Sequence, residues 1–296
     1  MNSQLKAHLG LIGTNLFFAI NYSAVKYFTS HHIAGPLAIN LIRIGISVLL
    51  FWCLFLFDKP QKRIERKDVP AFILCALMAI TINQMLFLKG LAYTFPIHAA
   101  LLTLVTPILI TIIAARVLKE KITVAKTLGL FLGITGAVLL VVSREVGEPG
   151  DNTMLGDSLI ILSSVAYTFY FILVKPLMTK YSAIQVVRWI FTFGFLMILP
   201  FCYHEFNDIK WQLFSDREWF LLFLIVVPGT FFAYVFNVYG IQKLSASLAG
   251  TYIYSQPVFA VIIAMIFLKE EFSLYKMTAG LLIALGVYLS NRKKDD

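Results

Sequence analysis

From Leu5 to Leu289 the chain is one apolar run after another, each near the length that crosses a bilayer and each joined to the next by a short polar break. A spanning helix needs roughly 20 mostly apolar residues. Ten such runs are expected, at about 5–28, 37–57, 69–92, 97–118, 124–143, 155–175, 183–203, 218–242, 246–268 and 274–291. Strands of a membrane barrel would alternate over about ten residues, and these runs are longer and more uniformly apolar than that. The longest breaks, near 58–68, 144–154 and 204–217, are too short to hold a separate domain. Charged residues make up 14% of the chain, against about 25% in soluble domains, which is too few to clothe 296 residues in water. The reading is an all-α integral membrane protein. Cys53, Cys75 and Cys202 lie inside apolar runs without paired spacing, so they are expected as buried thiols rather than disulfides or metal ligands. The first apolar run is long enough to span and has no small-residue cleavage site before it, so no cleaved signal peptide is expected.

The net charge of +9 is explained by orientation. Sixteen Lys and Arg fall at one set of helix ends, among them Lys6, Arg63, Arg66, Lys67, Arg116, Lys180 and Lys243, and seven at the other, including Lys26, Lys89, Arg217 and Lys276. The positive-inside rule places the first set, and with it both termini, in the cytoplasm. The basic excess then marks topology and a lipid bilayer as partner, and no nucleic-acid surface is expected.

The chain also repeats itself. "PILITIIAARVLKE", from Pro107, and "PVFAVIIAMIFLKE", from Pro257, are identical at seven of fourteen positions. The register extends backward through Gly90 and Gly240 and forward through Gly136 and Gly286. This divides the protein into two five-helix units, 5–143 and 155–291. Because five is odd, the second unit enters the membrane from the opposite side. Inverted repeats of this kind characterise secondary transporters with a substrate site near the midplane.

Several stretches resemble the drug/metabolite transporter superfamily, in its ten-helix EamA type. "FFAINYSAVKYF" resembles the family's opening motif, with Asn21 and Lys26 matching and Phe18 and Ala19 standing where Trp-Gly is usual. "LAYTFPIHAALLTLVTPILITIIAARVLKEKIT" and "LSASLAGTYIYSQPVFAVIIAMIFLKEEFS" resemble its fourth-helix signature and the second copy of it, and "GLLIALGVYLS" resembles the last helix. The resemblance covers nearly the whole chain. It implies a small-molecule substrate and a central cavity among helices 1, 3, 4, 6, 8 and 9, and it does not specify which solute.

Pro107 and Pro257 are expected near the middle of their helices, where a proline frees the carbonyls of Thr103 and Ile253. In hydrocarbon such carbonyls need a partner or a watery cavity. The kinks therefore either line the pathway, with Thr103, Thr106 and Gln256 facing it, or are satisfied by packing. Arg43 and Arg188 occupy corresponding places inside helices 2 and 7, where a charge costs roughly 3 kcal/mol or more. One reading is a fork of donors for a carboxylate or phosphate; the other is snorkelling or anchorage to backbone carbonyls. Lys26 and Lys89 read as snorkelling.

Other polar positions inside the runs are Asn15, Asn21, Asn40, Asn83, Gln84, Ser163, Ser164, Tyr167, Tyr170, Tyr234, Asn237, Tyr239 and Tyr252. This mixture of amides and aromatics suits an amphipathic metabolite such as an amino acid better than a bare ion. None of the sixteen Asp and Glu falls in the middle of a run, so facilitated export or exchange is expected rather than proton coupling. His98 begins helix 4 and reads either as a titrating group or as a satisfied interfacial side chain. Glu120 and Glu270, just before Thr123 and Ser273, are assigned to holding turns. Gly129, Gly133 and Gly136 form a small-residue stripe for close packing, within the protomer or against a second copy in a homodimer. No catalytic set, metal cluster or cofactor motif is seen, so the expected class is carrier, with a pore or channel as the alternative, and not an enzyme.

Overall fold

The computed structural model describes residues 3–55, 63–106, 124–142, 152–244, 255–267 and 273–291, together with Leu109 and Tyr252. Regular structure among them is helical throughout. The helices are α1 (Ser3–Ser30), α2 (Pro36–Phe55), α3 (Val69–Ala76, Leu77–Ile82 and Asn83–Tyr93 in unbroken succession), α4 (Pro96–Leu102) and α5 (Val124–Val142). They continue with α6 (Thr153–Lys180), α7 (Ala183–Asn207), α8 (Asp216–Val226, Val227–Phe232 and Ala233–Leu244, likewise continuous), α9 (Ser255–Phe267) and α10 (Leu274–Asn291). Five stretches among the described residues are long and apolar enough to cross a membrane: Pro36–Phe55, Arg66–Tyr93, Thr153–Lys180, Ala183–Asn207 and Asp216–Gly240.

Local chemistry sets the helix starts. Pro96 stands at the first turn of α4, where its missing N–H costs nothing. Ser182 and Asn152 cap α7 and α6 by accepting from the backbone of Gln185 and Leu155. Ser215 and Glu218 form a reciprocal capping box on α8. Where α1 ends, Lys26 is buried and donates to the carbonyl of Ala92 at 3.0 Å, so it closes the last turn of α3 instead of snorkelling. Lys180, by contrast, leaves the end of α6 to meet Asp68 at 2.5 Å and Glu65 at 3.1 Å before α3.

α3 and α8 each contain one π-helical segment, Leu77–Ile82 and Val227–Phe232, and these lie 150 residues apart. The equivalence reaches side chains. Gly90 of α3 packs on Ile160 of α6, and Gly240 of α8 packs on Leu11 of α1. Asn83 of α3 donates to Ser163 O of α6 at 2.9 Å, and Thr14 of α1 donates to Ala233 O of α8 at 3.1 Å. In the register that sets Lys175 on Lys26, Ile160 falls on Leu11 and Ser163 on Thr14. Thus α8 packs on α1 as α3 packs on α6.

Some expectations change here. Cys53 is exposed, while Cys75 and Cys202 are buried free thiols. Pro257 lies in the described segment Ser255–Phe267, and of residues 245–254 only Tyr252 is among the described ones. Pro107, Glu120 and Glu270 lie outside the described residues. The Thr103 carbonyl is not left open: α4 tightens there, and Thr103 O accepts from Thr106 N at 3.0 Å. The small-residue stripe of α5 meets α10 of the same chain. A Cβ on Gly286 would meet Gly129 O at 2.5 Å and Gly133 Cα at 2.7 Å, and one on Gly136 would meet Ala279 O at 2.8 Å.

That contact is backbone to backbone, so neither side can yield by a rotamer change. Gly286→Ala is expected to destabilise the protein by about 1–3 kcal/mol. Gly13→Ala, whose Cβ would find only Phe236 Cδ2 at 3.8 Å, should stay within about 0.5 kcal/mol of the parent. Thermal unfolding of the two purified variants in one detergent checks the contrast.

Candidate functional site

A polar cluster lies where α1, α2, α3, α4, α8 and α9 converge. At its centre Arg43 Nη2 donates to Gln84 Oε1 at 2.8 Å, and Gln84 Nε2 donates to the Tyr234 hydroxyl at 3.0 Å. Gln84 and Tyr234 are repeat-mates, 150 residues apart, and they meet face to face. The Gln84 amide is oriented by its neighbours, since its oxygen must face a guanidinium that only donates. Tyr234 accepts through its oxygen and so keeps its own O–H for a further acceptor.

Beside this trio, Gln256 Nε2 of α9 donates to the Tyr22 hydroxyl at 2.6 Å. Tyr22 in turn bonds the Thr103 side chain of the α4 turn, and Thr103 Oγ1 donates to Ala100 O at 2.7 Å. The Tyr167 hydroxyl of α6 bonds Asn237 of α8, and Tyr170 stacks on Tyr167 with centroids 5.6 Å apart. Aromatic rings bound the cluster: Phe87 lies 4.8 Å from Tyr22, and Phe191 and Phe18 lie 4.8 Å and 5.8 Å from Tyr234, measured between centroids.

Arg43 is the charged member of this cluster. It is buried, its Nε has no hydrogen-bond partner, and no carboxylate of the described residues pairs with it. Its neighbours include the phenols Tyr22 and Tyr234. Asn40 and Ser47 lie on the same face of α2, at helical spacings of three and four, and their buried polar atoms likewise lack partners. A buried guanidinium without a counter-charge costs several kcal/mol. An arriving carboxylate or phosphate would supply the missing acceptor bidentately.

The remaining expected residues fall elsewhere. Asn15 donates to Leu11 O of its own helix at 2.8 Å. Asn21 donates to Gly229 O at 3.0 Å, within the second π segment. Asn83 is spent on Ser163 O, and Thr106 is buried beside the α4 turn. Tyr252 bonds His8 at 2.5 Å. Arg188, the sequence counterpart of Arg43, lies over Trp52 and Phe55 at 4.8 Å and 4.4 Å, away from the Gln84–Tyr234 pair.

Two groups were not singled out in the sequence. Tyr22 adjoins Asn21 in the opening motif, and that adjacency was the available clue. Asp157 reads as a helix-start carboxylate, yet it is fully buried against His98, which is itself buried.

Comparison with known proteins settles the family. The model of the EamA-like transporter family matches the chain twice, over residues 5–142 and 154–292. The chain belongs to the EamA-like transporter family. Within the drug/metabolite transporter superfamily, this EamA protein is similar to an uncharacterized transporter of Archaeoglobus fulgidus, at 26% identity over 98% of this chain and 100% of that one. It is 25% identical to the uncharacterized transporter YetK of Bacillus subtilis, over 84% of this chain and 76% of its relative. It is 24% identical to a protein of Streptantibioticus cattleyicolor named "Probable terminal-alkyne amino-acid exporter", over 78% and 76%. A crystal structure shares the fold with a TM-score of 0.65 at 16% identity, covering 95% of both chains. The EamA chain is a multi-pass membrane transporter of a small molecule, and not an enzyme.

Gln84 ties the cluster together from both ends. Gln84→Leu leaves Arg43 and Tyr234 each short of a buried partner, and a loss of about 1–3 kcal/mol is expected. The comparison of thermal unfolding midpoints between parent and variant, in the absence of any solute, measures it.

Proposed function

We propose that this EamA transporter is a secondary carrier for a small organic solute that joins an anionic head, such as a carboxylate, to an apolar or aromatic body. Amino acids and related metabolites are the class in view. The observation that carries the reading is Arg43, a buried guanidinium with an unpartnered Nε and no carboxylate beside it. The rings of Phe18, Phe87 and Phe191 around the same cluster suit the apolar part. The amino-acid exporter name of one relative points to the same class.

The two units, 5–143 and 155–291, are taken as inverted repeats that rock about this cluster and expose it to one side at a time, in ten spans with both termini in the cytoplasm. The repeated π segments, the equivalent α3–α6 and α8–α1 contacts and the two matched regions support this arrangement. Net movement is assigned as export across the cell's inner membrane.

The test is a thermal-shift screen of the purified protein against amino acids and other metabolites. A solute at a hundredfold its dissociation constant adds about 2.7 kcal/mol to the folded state. Arg43→Met is expected to abolish the shift given by carboxylate solutes without lowering the solute-free midpoint. Gln84→Glu, which brings a carboxylate to Arg43 from within, should raise that midpoint and suppress the same shift. Shifts that survive Arg43→Met would refute the head-group assignment. Counterflow in proteoliposomes then identifies a carrier, and flux that never saturates identifies a pore.

A further inference from the structure

A second polar centre lies away from the Arg43 cluster, where the end of α3, the start of α4 and the start of α6 meet. His98 Nδ1 lies 3.0 Å from Asp157 Oδ2, and both side chains are fully buried. The Thr94 hydroxyl donates to the other oxygen, Asp157 Oδ1. His98 Nε2 is buried and has no partner. Backbone contact holds the carboxylate in place: a Cβ on Gly156, next to Asp157, would meet Gly90 O at 2.7 Å and Thr94 Cβ at 2.9 Å. Phe95 closes one side, with its ring centroid 5.6 Å from that of His98.

Of the other ionisable groups on these elements, Tyr27 of α1 donates to Glu218, Lys6 and His31 of α1 are exposed, Tyr167 and Tyr170 of α6 face each other, and Lys180 of α6 meets Asp68 and Glu65. Lys26 of α1 donates to Ala92 O, and His8 is joined to Tyr252. Tyr22 of α1 is bonded to Gln256. Lys89 and Tyr93 of α3 are exposed, as are Tyr275 and Tyr288 of α10. Lys126 and Lys276 stand in the first turns of α5 and α10, and α9 carries no ionisable residue. Among the described residues, Asp157 is the ionisable group in contact with His98.

We propose that His98 and Asp157 form a proton-binding latch that closes one end of the bundle by joining α4 to α6. With a proton on both ring nitrogens the contact is an ion pair between two buried groups. Without that second proton, a carboxylate remains buried against a neutral ring. The closed contact therefore holds the proton, and separating α4 from α6 releases it to water. Each full opening moves one proton between site and solvent, with no other reactant required. His8, which is paired with Tyr252, is the residue on which Asp157 falls when Lys175 is set on Lys26. Proton binding stands on the local geometry alone. The latch's part in transport rests on the two-unit reading above.

Hydrogen exchange of the full-length protein in lipid nanodiscs tests the latch, followed over residues 94–102 and 153–160 between pH 5.5 and 8.5 and corrected for intrinsic exchange. Protection of both segments is expected to fall as pH rises, by up to about tenfold per pH unit for one linked proton. His98→Gln and Asp157→Asn should each flatten that dependence. A flat parent profile, or an unchanged slope in either variant, overturns the proposal. Where a variant does not fold, nitrogen-15 histidine spectra decide, using a protein in which His98 is the single remaining histidine. A ring that titrates in step with the exchange supports the latch, and a ring that never changes protonation over this range overturns it. Latch titration that persists while carboxylate solutes fail to bind separates this proposal from the head-group assignment.

Discussion

A bilayer offers no water to a backbone group that has lost its helical partner, and this requirement organises much of the structure. At three places where a helix ends or changes its winding, a named donor meets a carbonyl. The π segment around Pro228 gives up a regular turn, and Asn21 from α1 takes the Gly229 carbonyl. α3 ends at Tyr93, and Lys26 takes the Ala92 carbonyl. α4 tightens at Thr103, and Thr106 N takes its carbonyl. Two of these donors come from α1, so this helix fastens α3 and α8 through polar contacts placed at their weakest points. Polar residues that look like cavity lining in the sequence are partly structural for this reason.

The same requirement explains which polar groups are left for a solute. Asn15, Asn83 and Thr14 spend their donors on carbonyls. Arg43, Asn40 and Ser47 keep unpartnered atoms on one face of α2. These are the groups on which the proposed head-group assignment rests. Arg188 shows the alternative outcome for a similar residue: its charge is covered by two aromatic rings.

Helix positions were legible because hydrophobic length is a strong signal, and the repeat was legible because whole phrases recur. Arg43, Gln84, Thr103 and Gln256 could be singled out because polar residues in apolar runs are costly. Their pairing could not, since it depends on which helices touch across a gap of forty to two hundred residues. Pairing also decides the fate of Lys26, which sits near a helix end and looked free to reach the surface. Asp157 escaped notice for a related reason. Its position four residues after the start of α6 reads as interfacial, and only the glycine contact between α3 and α6 reveals that this end is sealed.

Gln84 and Tyr234 lie 150 residues apart, one in each of the two matched regions, and they differ: one is an amide that both gives and accepts, the other a phenol. Their bond makes the two sides of this cluster unlike, where identical residues related by a twofold axis would make them alike. Under the proposed head-group assignment, a solute held at Arg43 would meet an amide on one side and a phenol on the other.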